Sequence, residues 1–279
     1  EILRKGLQSA NINFLIGSGC SWPAINILGD IENQIQEKME NNEEGKANRL
    51  LCNFLKPFVI SSNYLRTDIE DTDTIHTLMN YKNFLRNISQ ILIERKNNIL
   101  PKQATIFTTN YDLFIEKVSG EIGIAVKLND GFNRNPKLNN QFEFSVSEFF
   151  NSTFNNGNLY NYKVEIPSIN LVKLHGSLTW KRLGDKIFFS TAYLKKIANK
   201  YNEILESETL DNISISKVRA FNGRFNIILP QKSKFRDTLL NHIYYNLLRI
   251  YSNELDKENT VLIAEGFSFA DEHILEITQ

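Results

Sequence analysis

The chain has 279 residues, ordinary apolar and charged fractions, and a formal net charge of zero. This length suits one large domain or two small ones with a sizeable core. The neutral balance gives no electrostatic footprint for nucleic acid or an anionic membrane. Two cysteines, Cys20 and Cys52, are too few for a cysteine zinc site or a disulfide framework, which favours a reduced, cytoplasmic setting.

The sequence has neither a signal peptide nor an apolar stretch near the roughly 20 residues of a membrane span. It begins with Glu1 and ends at Gln279, just after the start of a predicted helix. We therefore expect a domain cut from a longer chain.

A short apolar strand at 13–16 leads into a glycine turn, residues 17–21 (GSGCS). Two glycines at spacing two let a backbone pass close to a ligand, so this turn can hold a diphosphate. A turn with a purely structural role is an equal alternative. A dehydrogenase fingerprint needs a third glycine at position 22, which is Trp22, and an acidic residue about 20 positions later at the end of a strand. That later region has helical spacing, so hydride transfer is disfavoured.

Residues from about 30 to 100 have helical periodicity and form a predicted helical layer. The clearest helix is predicted at 80–97, and a shorter one at 46–60 is expected to stop at Pro57. His76 lies near this layer, and we expect a surface or capping role for it.

A second buried strand, residues 104–107, runs into the polar segment 108–112 (TTNYD). Ligands of open α/β sheets bind at the carboxyl ends of strands, so Asn110 and Asp112 are placed to meet one. The alternative is that either residue caps the helix that follows.

Residues 123–165 alternate short β-like pieces with Asn-rich loops and predict a β-containing insertion. A strand at 169–174 then ends in His175 and Gly176. A histidine at a strand end is an acid–base candidate because its ordinary pKa lies near 6.5. A structural histidine is the competing interpretation.

The remaining elements are a strand at 225–230, a long amphipathic helix at 235–255 and a last strand at 261–264. The last strand leads into the segment 266–271 (GFSFAD). We predict an α/β fold: a doubly wound, mainly parallel (Rossmann-like) sheet with a helical layer and a β-containing insertion, in a single catalytic domain over 1–279.

Four segments follow predicted strands: 17–21, 108–112, 175–176 and 266–271. Their order and spacing resemble those of the SIR2-like (sirtuin-like) family. They resemble more closely its bacterial defence branch, whose members degrade NAD⁺. The resemblance runs from residue 11 to about 276. It implies two catalytic residues: Asn110, which contacts the nicotinamide ribose and the attacking water, and His175. The residues it implies for binding NAD⁺ are Gly17, Ser18, Gly19, Ser21, Thr109, Asp112, Gly176, Gly266 and Ser268.

The resemblance implies an NAD⁺ glycohydrolase that forms nicotinamide and ADP-ribose and depletes cellular NAD⁺ as an anti-phage effector. NAD⁺ is then the substrate, and no metal is expected. The implied partners are further copies of the chain and a regulatory domain, in the same chain or in a separate protein such as an ATPase. A deacylase, an ADP-ribosyltransferase and a non-catalytic sensor of NAD or ADP-ribose remain alternatives.

The chain also departs from the family pattern. Deacylating sirtuins carry a four-cysteine zinc module, for which this chain has too few cysteines. Ser18 replaces the usual alanine, and the Asp-Phe-Arg that follows in deacylases is missing. These differences weigh against acyl-lysine chemistry more than against NAD⁺ binding.

Overall fold

The computed structural model describes residues 2–26, 31–68, 71–95, 99–122, 126–135, 141–157, 163–192 and 242–279, with residue 138 and a few positions between 194 and 228. The helices are α1 (Ile2–Ser9), α2 (Ile31–Glu40), α3 (Glu44–Thr67), α4 (Thr72–Ile93), α5 (Phe114–Glu121), α6 (His242–Leu255) and α7 (Glu272–Thr278). The strands are β1 (Asn11–Ile16), β2 (Gln103–Thr108), β3 (Lys127–Asn129), β4 (Phe132–Asn133), β5 (Glu143–Phe144), β6 (Thr153–Asn156), β7 (Lys163–Ile166), β8 (Ser168–Lys173), β9 (Trp180–Leu183), β10 (Lys186–Phe189) and β11 (Thr260–Glu265).

A parallel sheet of five strands, in the order β11-β1-β2-β8-β3, forms the centre of the fold. Every neighbouring pair in it is parallel. Parallel strands are covered on both faces, which explains why β1, β2 and β8 are almost entirely buried. The predicted mainly parallel α/β fold is confirmed.

Alternate residues of the strands face two different cores. Phe14 and Ile106 belong to the core shared with α3, α4 and α5, where the ring of Phe14 meets that of Phe84 at 5.1 Å between centroids. Leu15 and Phe107 belong to the opposite core, shared with α6. Helices therefore cover both faces of the sheet, as the doubly wound prediction requires.

The prediction that a helix stops at Pro57 is wrong, because α3 continues through it. Proline removes one hydrogen bond and strains the preceding turn, at about 3 kcal/mol. Beyond it, however, Phe58, Val59 and Leu65 are buried, and each such side chain contributes about 1.5–3 kcal/mol. Burial on the far side of the proline therefore outweighs the lost bond.

The helix predicted at 80–97 begins earlier and ends earlier, as α4. Asp71 sets its start, because the carboxylate accepts a hydrogen bond from the Thr74 amide at 2.9 Å. His76 lies on α4 and is exposed, as expected.

The segment predicted as an insertion, 123–165, contributes strands to three sheets. Its first strand, β3, pairs with β8 at the edge of the central sheet. β4 and β5 join β10 and β9, which follow β8 in the chain, in a second, antiparallel sheet. The three residues of β3 are too few for a periodic pattern to identify.

The predicted strand at 225–230 and the start of the helix predicted at 235–255 lie mostly outside the described residues. Of the strand, Ile227 and Ile228 are described, and Ile227 forms an isolated antiparallel bridge with Gly176. The helix is described from His242 onward, as α6. Over the described ranges, each helix is too short or too polar to cross a membrane.

Replacing Pro57 with alanine should stabilise the protein, since it restores a hydrogen-bond donor inside α3. We expect the free energy of unfolding to rise by about 1–3 kcal/mol in urea titrations. Lys56→Ala, one position away, is the control and should stay within about 0.5 kcal/mol of the parent. A destabilised Pro57→Ala variant would mean that the packing of α3 requires the bend that proline imposes.

Candidate functional site

The carboxyl ends of four neighbouring strands meet at one edge of the central sheet. Ile16 of β1 pairs with Glu265 of β11 on one side and with Thr108 of β2 on the other. Thr108 in turn pairs with Lys173 of β8. The glycine turn and the polar segments after β2, β8 and β11 therefore start at the same level, where open α/β sheets bind their ligands.

The glycine turn packs backbone to backbone against the segment that follows β11. The Gly17 amide donates to the Glu265 carbonyl and the Gly19 amide to the Gly266 carbonyl, both at 3.0 Å. A Cβ at Gly17 would lie 2.4 Å from the Gly266 oxygen, and one at Gly19 would lie 2.9 Å from the Gly266 Cα. Gly266 itself has φ +59°. All three glycines are therefore required by this close approach.

The amides of Gly17 and Gly19 consequently already have carbonyl partners. The prediction that this turn holds a diphosphate stays a prediction, and the hydroxyl groups beside it are further donors. Ser18, in the one-turn 3-10 helix Ser18–Ser21, is exposed, and so is Ser268 after β11. These two serines lie on the two segments that pack together, so both are available to a ligand at this edge.

Asn110 ties the end of β2 to the glycine turn. Its side chain is buried, and Nδ2 donates to the Gly17 carbonyl at 3.0 Å and to Ser21 Oγ at 3.1 Å. Its backbone amide bonds to the Thr108 hydroxyl at 3.0 Å. The neighbouring Thr109 is only half-buried. Asn110 therefore lies beside the glycine turn, and its contact with a ligand stays a prediction.

Below the turn lies a buried polar cluster of Ser21, Tyr81 and Asp112. Ser21 Oγ donates to Asp112 Oδ2 at 2.7 Å and lies 3.0 Å from the Tyr81 hydroxyl. The ring of Tyr81 stacks on Phe114, with centroids 5.4 Å apart. Asp112 Oδ1 also accepts from the Phe114 amide at 3.4 Å, at the start of α5. Asp112 therefore bonds the first amide of α5 from one position before its N-cap, Leu113.

A buried ion pair supports this cluster from the side of β8. Lys173 Nζ lies 2.7 Å from Glu116 Oε1, donates to Ser177 Oγ at 3.2 Å and also bonds the Asp112 carbonyl. Burial raises the pKa of Asp112 and that of Glu116, while Lys173 opposes both shifts. One cation therefore lies close to two carboxyl groups, and its bond to the Asp112 carbonyl holds the backbone after β2.

His175 lies at the end of β8 with a carboxylate beside it. Its Nε2 is 3.1 Å from Asp271 Oδ2, and the two side chains are 11% and 13% exposed. Its carbonyl accepts a hydrogen bond from the Ile228 amide at 2.9 Å. The buried Gly176 that follows has φ +82°, a conformation that favours glycine.

A family model described as the SIR2-like domain matches residues 104–279, more than half of the chain. The chain belongs to the SIR2-like family. The matched part contains Asn110, His175 and Gly266, whereas the glycine turn precedes it. A search of curated proteins finds no match.

Membership of the SIR2-like family is consistent with an enzyme that uses NAD⁺. The edge of the sheet offers groups that suit such a molecule: exposed hydroxyls at Ser18 and Ser268 for phosphate oxygens, and the half-buried Thr109 and His175 further along. Ser21 and Asp112 are buried beneath this edge. Within the described ranges, the side chains of His, Cys, Asp and Glu form no group of three that could hold a metal ion.

Sequence reasoning missed four residues of this SIR2-like site. Tyr81 has the same helical spacing as the core residues Leu85 and Ile88, so it resembles an ordinary core position. Lys173 could have been found from the sequence, because a lysine inside an apolar strand requires a buried partner. The other two are Glu116 and Asp271, whose partners lie far away in the sequence.

Replacing Gly17 with alanine should destabilise the fold, because the added methyl meets the Gly266 carbonyl. We expect a loss of about 1–3 kcal/mol in urea unfolding. Gly120→Ala is the matched control: a Cβ there meets nothing within 4 Å, so alanine in α5 should be neutral or stabilising by about 0.5–1 kcal/mol. Equal stabilities of the two variants would argue against the tight packing of the two turns.

The raised pKa of Asp112 predicts a pH dependence of stability. A carboxyl group whose pKa is higher in the folded state favours folding while it is protonated. That contribution is present below pH 3.8, the ordinary pKa of an aspartate, and is lost as the pH rises through the folded pKa. Asp112→Asn should therefore lose less stability than the parent between about pH 4 and pH 7 in urea titrations. Parallel pH profiles of the two proteins would contradict the shift.

Proposed function

We propose that this protein is an NAD⁺ glycohydrolase that converts NAD⁺ and water to nicotinamide and ADP-ribose. The observation that carries the proposal is the register of β2 and β8. Because Thr108 pairs with Lys173, Asn110 and His175 each follow two residues after a paired position. Adjacent strands lie about 4.8 Å apart, so the two residues follow neighbouring strand ends, and in this proposal both act on the same ribose.

The bond to be broken suits these two groups. Cleavage of the nicotinamide–ribose bond develops positive charge on the ribose, and the electron pair leaves with a nicotinamide that is already cationic. No strong acid is needed. What accelerates the reaction is fixed geometry, a hydrogen-bonded ribose and a base. In this proposal Asn110 orients the ribose and the water, and His175 takes the proton of the attacking water.

Protein deacylation is the less favoured activity. The four-cysteine zinc module of deacylating sirtuins cannot be formed from two cysteines. Cys20 lies in the glycine turn, and Cys52 is buried in α3. An ADP-ribosyltransferase and a non-catalytic NAD sensor differ from a glycohydrolase in one measurable respect: neither turns over NAD⁺ in the absence of an acceptor.

In its cell, this activity would serve as an anti-phage effector that depletes NAD⁺ in the cytoplasm. An unrestrained NAD⁺ glycohydrolase is toxic to its host, so we propose that assembly of several copies, or a regulatory domain or partner such as an ATPase, controls it. Release of nicotinamide by the isolated chain should therefore be weak and should increase on assembly.

His175→Ala should abolish hydrolysis with little effect on stability. Loss of a general base lowers the rate by about 10²–10⁴-fold, while His175 contributes one side-chain contact at the edge of the sheet, so unfolding should change by no more than about 1 kcal/mol. The measurement is nicotinamide and ADP-ribose release by mass spectrometry, using full-length protein. The exposed His76→Ala is the control and should retain parent activity.

Asn110→Ala should also stop turnover but should cost more stability, about 1–3 kcal/mol, since it leaves the Gly17 carbonyl without this donor. Binding of NAD⁺ should persist in part in the His175 variant. Parent-rate hydrolysis by a folded His175→Ala protein would overturn the assignment of the base. Absence of turnover in the assembled parent, with tight NAD⁺ binding, would favour the sensor.

A further inference from the structure

The carboxylate of Asp271 faces the imidazole of His175 across the edge of the sheet. Nε2 and Oδ2 are 3.1 Å apart, and each side chain keeps less than a seventh of its surface in contact with solvent. Surface ion pairs contribute little to stability because water competes for both partners. Here most of that water is excluded, so the contact constrains the ring.

We propose that Asp271 is the positioning residue of His175, and that Nδ1 of His175 is the atom that exchanges a proton with the substrate. The proposal rests on the NAD⁺ glycohydrolase function. An ionised carboxylate only accepts hydrogen bonds, so Nε2 carries a proton. A neutral imidazole has a single N–H, which leaves Nδ1 as the acceptor.

Asp271 is held in place independently of His175. Its second oxygen, Oδ1, accepts the Ile274 amide at 3.4 Å and caps α7. α7 is anchored in turn, because Ile274 is fully buried and Thr278 bonds the Tyr251 hydroxyl of α6 at 2.7 Å. The two oxygens of one carboxylate therefore have separate partners, and the cap orients the oxygen that meets the imidazole.

The path of the chain explains why this contact forms between distant strands. β8 and β11 are separated by β2 and β1 in the sheet, about 14 Å at three strand spacings. Residues 266–271 start against the glycine turn, where Gly266 contacts Gly19, and reach His175 at Asp271. The segment thus crosses the strand ends and brings a carboxylate to the base.

In the proposed mechanism, hydrolysis requires no reactant other than NAD⁺ and water. The water oxygen bonds to the ribose carbon as the bond to nicotinamide breaks, and the electron pair leaves on the nicotinamide nitrogen. The water proton passes to Nδ1 of His175, which makes an imidazolium ion beside the Asp271 carboxylate. That proton then leaves to solvent. Asp271 touches no reacting atom, so its effect should appear in kcat rather than in KM.

Two substitutions separate the contact from the helix cap. Serine and asparagine are both good N-caps, so Asp271→Ser and Asp271→Asn keep α7. Serine is too short to reach Nε2, whereas asparagine still offers it an uncharged oxygen. Glu272→Gln is the control: it removes the neighbouring, exposed carboxylate in the first turn of α7.

The direct test is ¹⁵N NMR of the histidine side chains, recorded at rising pH until the ¹⁵N shifts of the ring stop changing and the ring is neutral. The His175 signals are assigned by their loss in His175→Ala. We expect the Nε2-protonated tautomer in the parent and in Glu272→Gln, and loss of this preference in Asp271→Ser. An Nδ1-protonated ring in the parent, or an unchanged tautomer in Asp271→Ser, would overturn the proposal.

The kinetic test uses the full-length protein under conditions in which the parent hydrolyses NAD⁺. Asp271→Ser should lower kcat by about 10–100-fold, which is a part of the rate that a general base contributes. KM should stay within about threefold of the parent value. Asp271→Asn should recover part of the loss, and Asp271→Ser should have no further effect in a His175→Ala background. A parent-like kcat for Asp271→Ser, or a change confined to KM, would contradict the positioning role.

These two measurements separate this proposal from the proposed function. If the assembled parent does not hydrolyse NAD⁺, the glycohydrolase function fails, and the tautomer of His175 still decides whether Asp271 fixes the ring. If the parent hydrolyses NAD⁺ and Asp271→Ser retains both the tautomer and kcat, the function stands and the role of Asp271 is wrong.

Discussion

The whole site depends on the close contact between the glycine turn after β1 and the chain after β11. Two backbone segments approach so closely that neither Gly17 nor Gly266 has room for a Cβ atom. This contact fixes residues 266–271 over the strand ends, and with them Asp271. It also directs the Gly17 carbonyl to Asn110. One backbone contact thereby sets the relative positions of groups from three strands.

Electrostatics divides the site into two layers. In the lower layer Asp112 and Lys173 are buried, and Lys173 pairs with the mostly buried Glu116. Such a pair stabilises one backbone arrangement, because removing either partner leaves the other without its counter-charge. The upper layer, with Ser18, Ser268 and His175, keeps contact with solvent. The lower layer therefore holds the geometry in which the upper layer can meet a ligand.

The sequence predicted what depends on short-range pattern and missed what depends on distance. Apolar runs that end in polar turns identified β1, β2, β8 and β11, and parallel pairing then required their ends to meet. The stop at Pro57 failed because the burial of Phe58 and Val59, which decides whether the helix continues, is a tertiary property. His175 and Asp271 are 96 positions apart in the sequence, and their contact depends on the path of one loop.

The glycine turn shows why a motif alone cannot assign a ligand. Glycine is needed wherever a backbone comes close to another group, and that group can be a phosphate or a second backbone. Here the second backbone is present, and the amides of Gly17 and Gly19 are bonded to it. What distinguishes a binding edge from a merely packed one is therefore the polar groups left over after packing. At this edge they include the exposed hydroxyls of Ser18 and Ser268 and the imidazole of His175, which is consistent with an enzyme that uses NAD⁺.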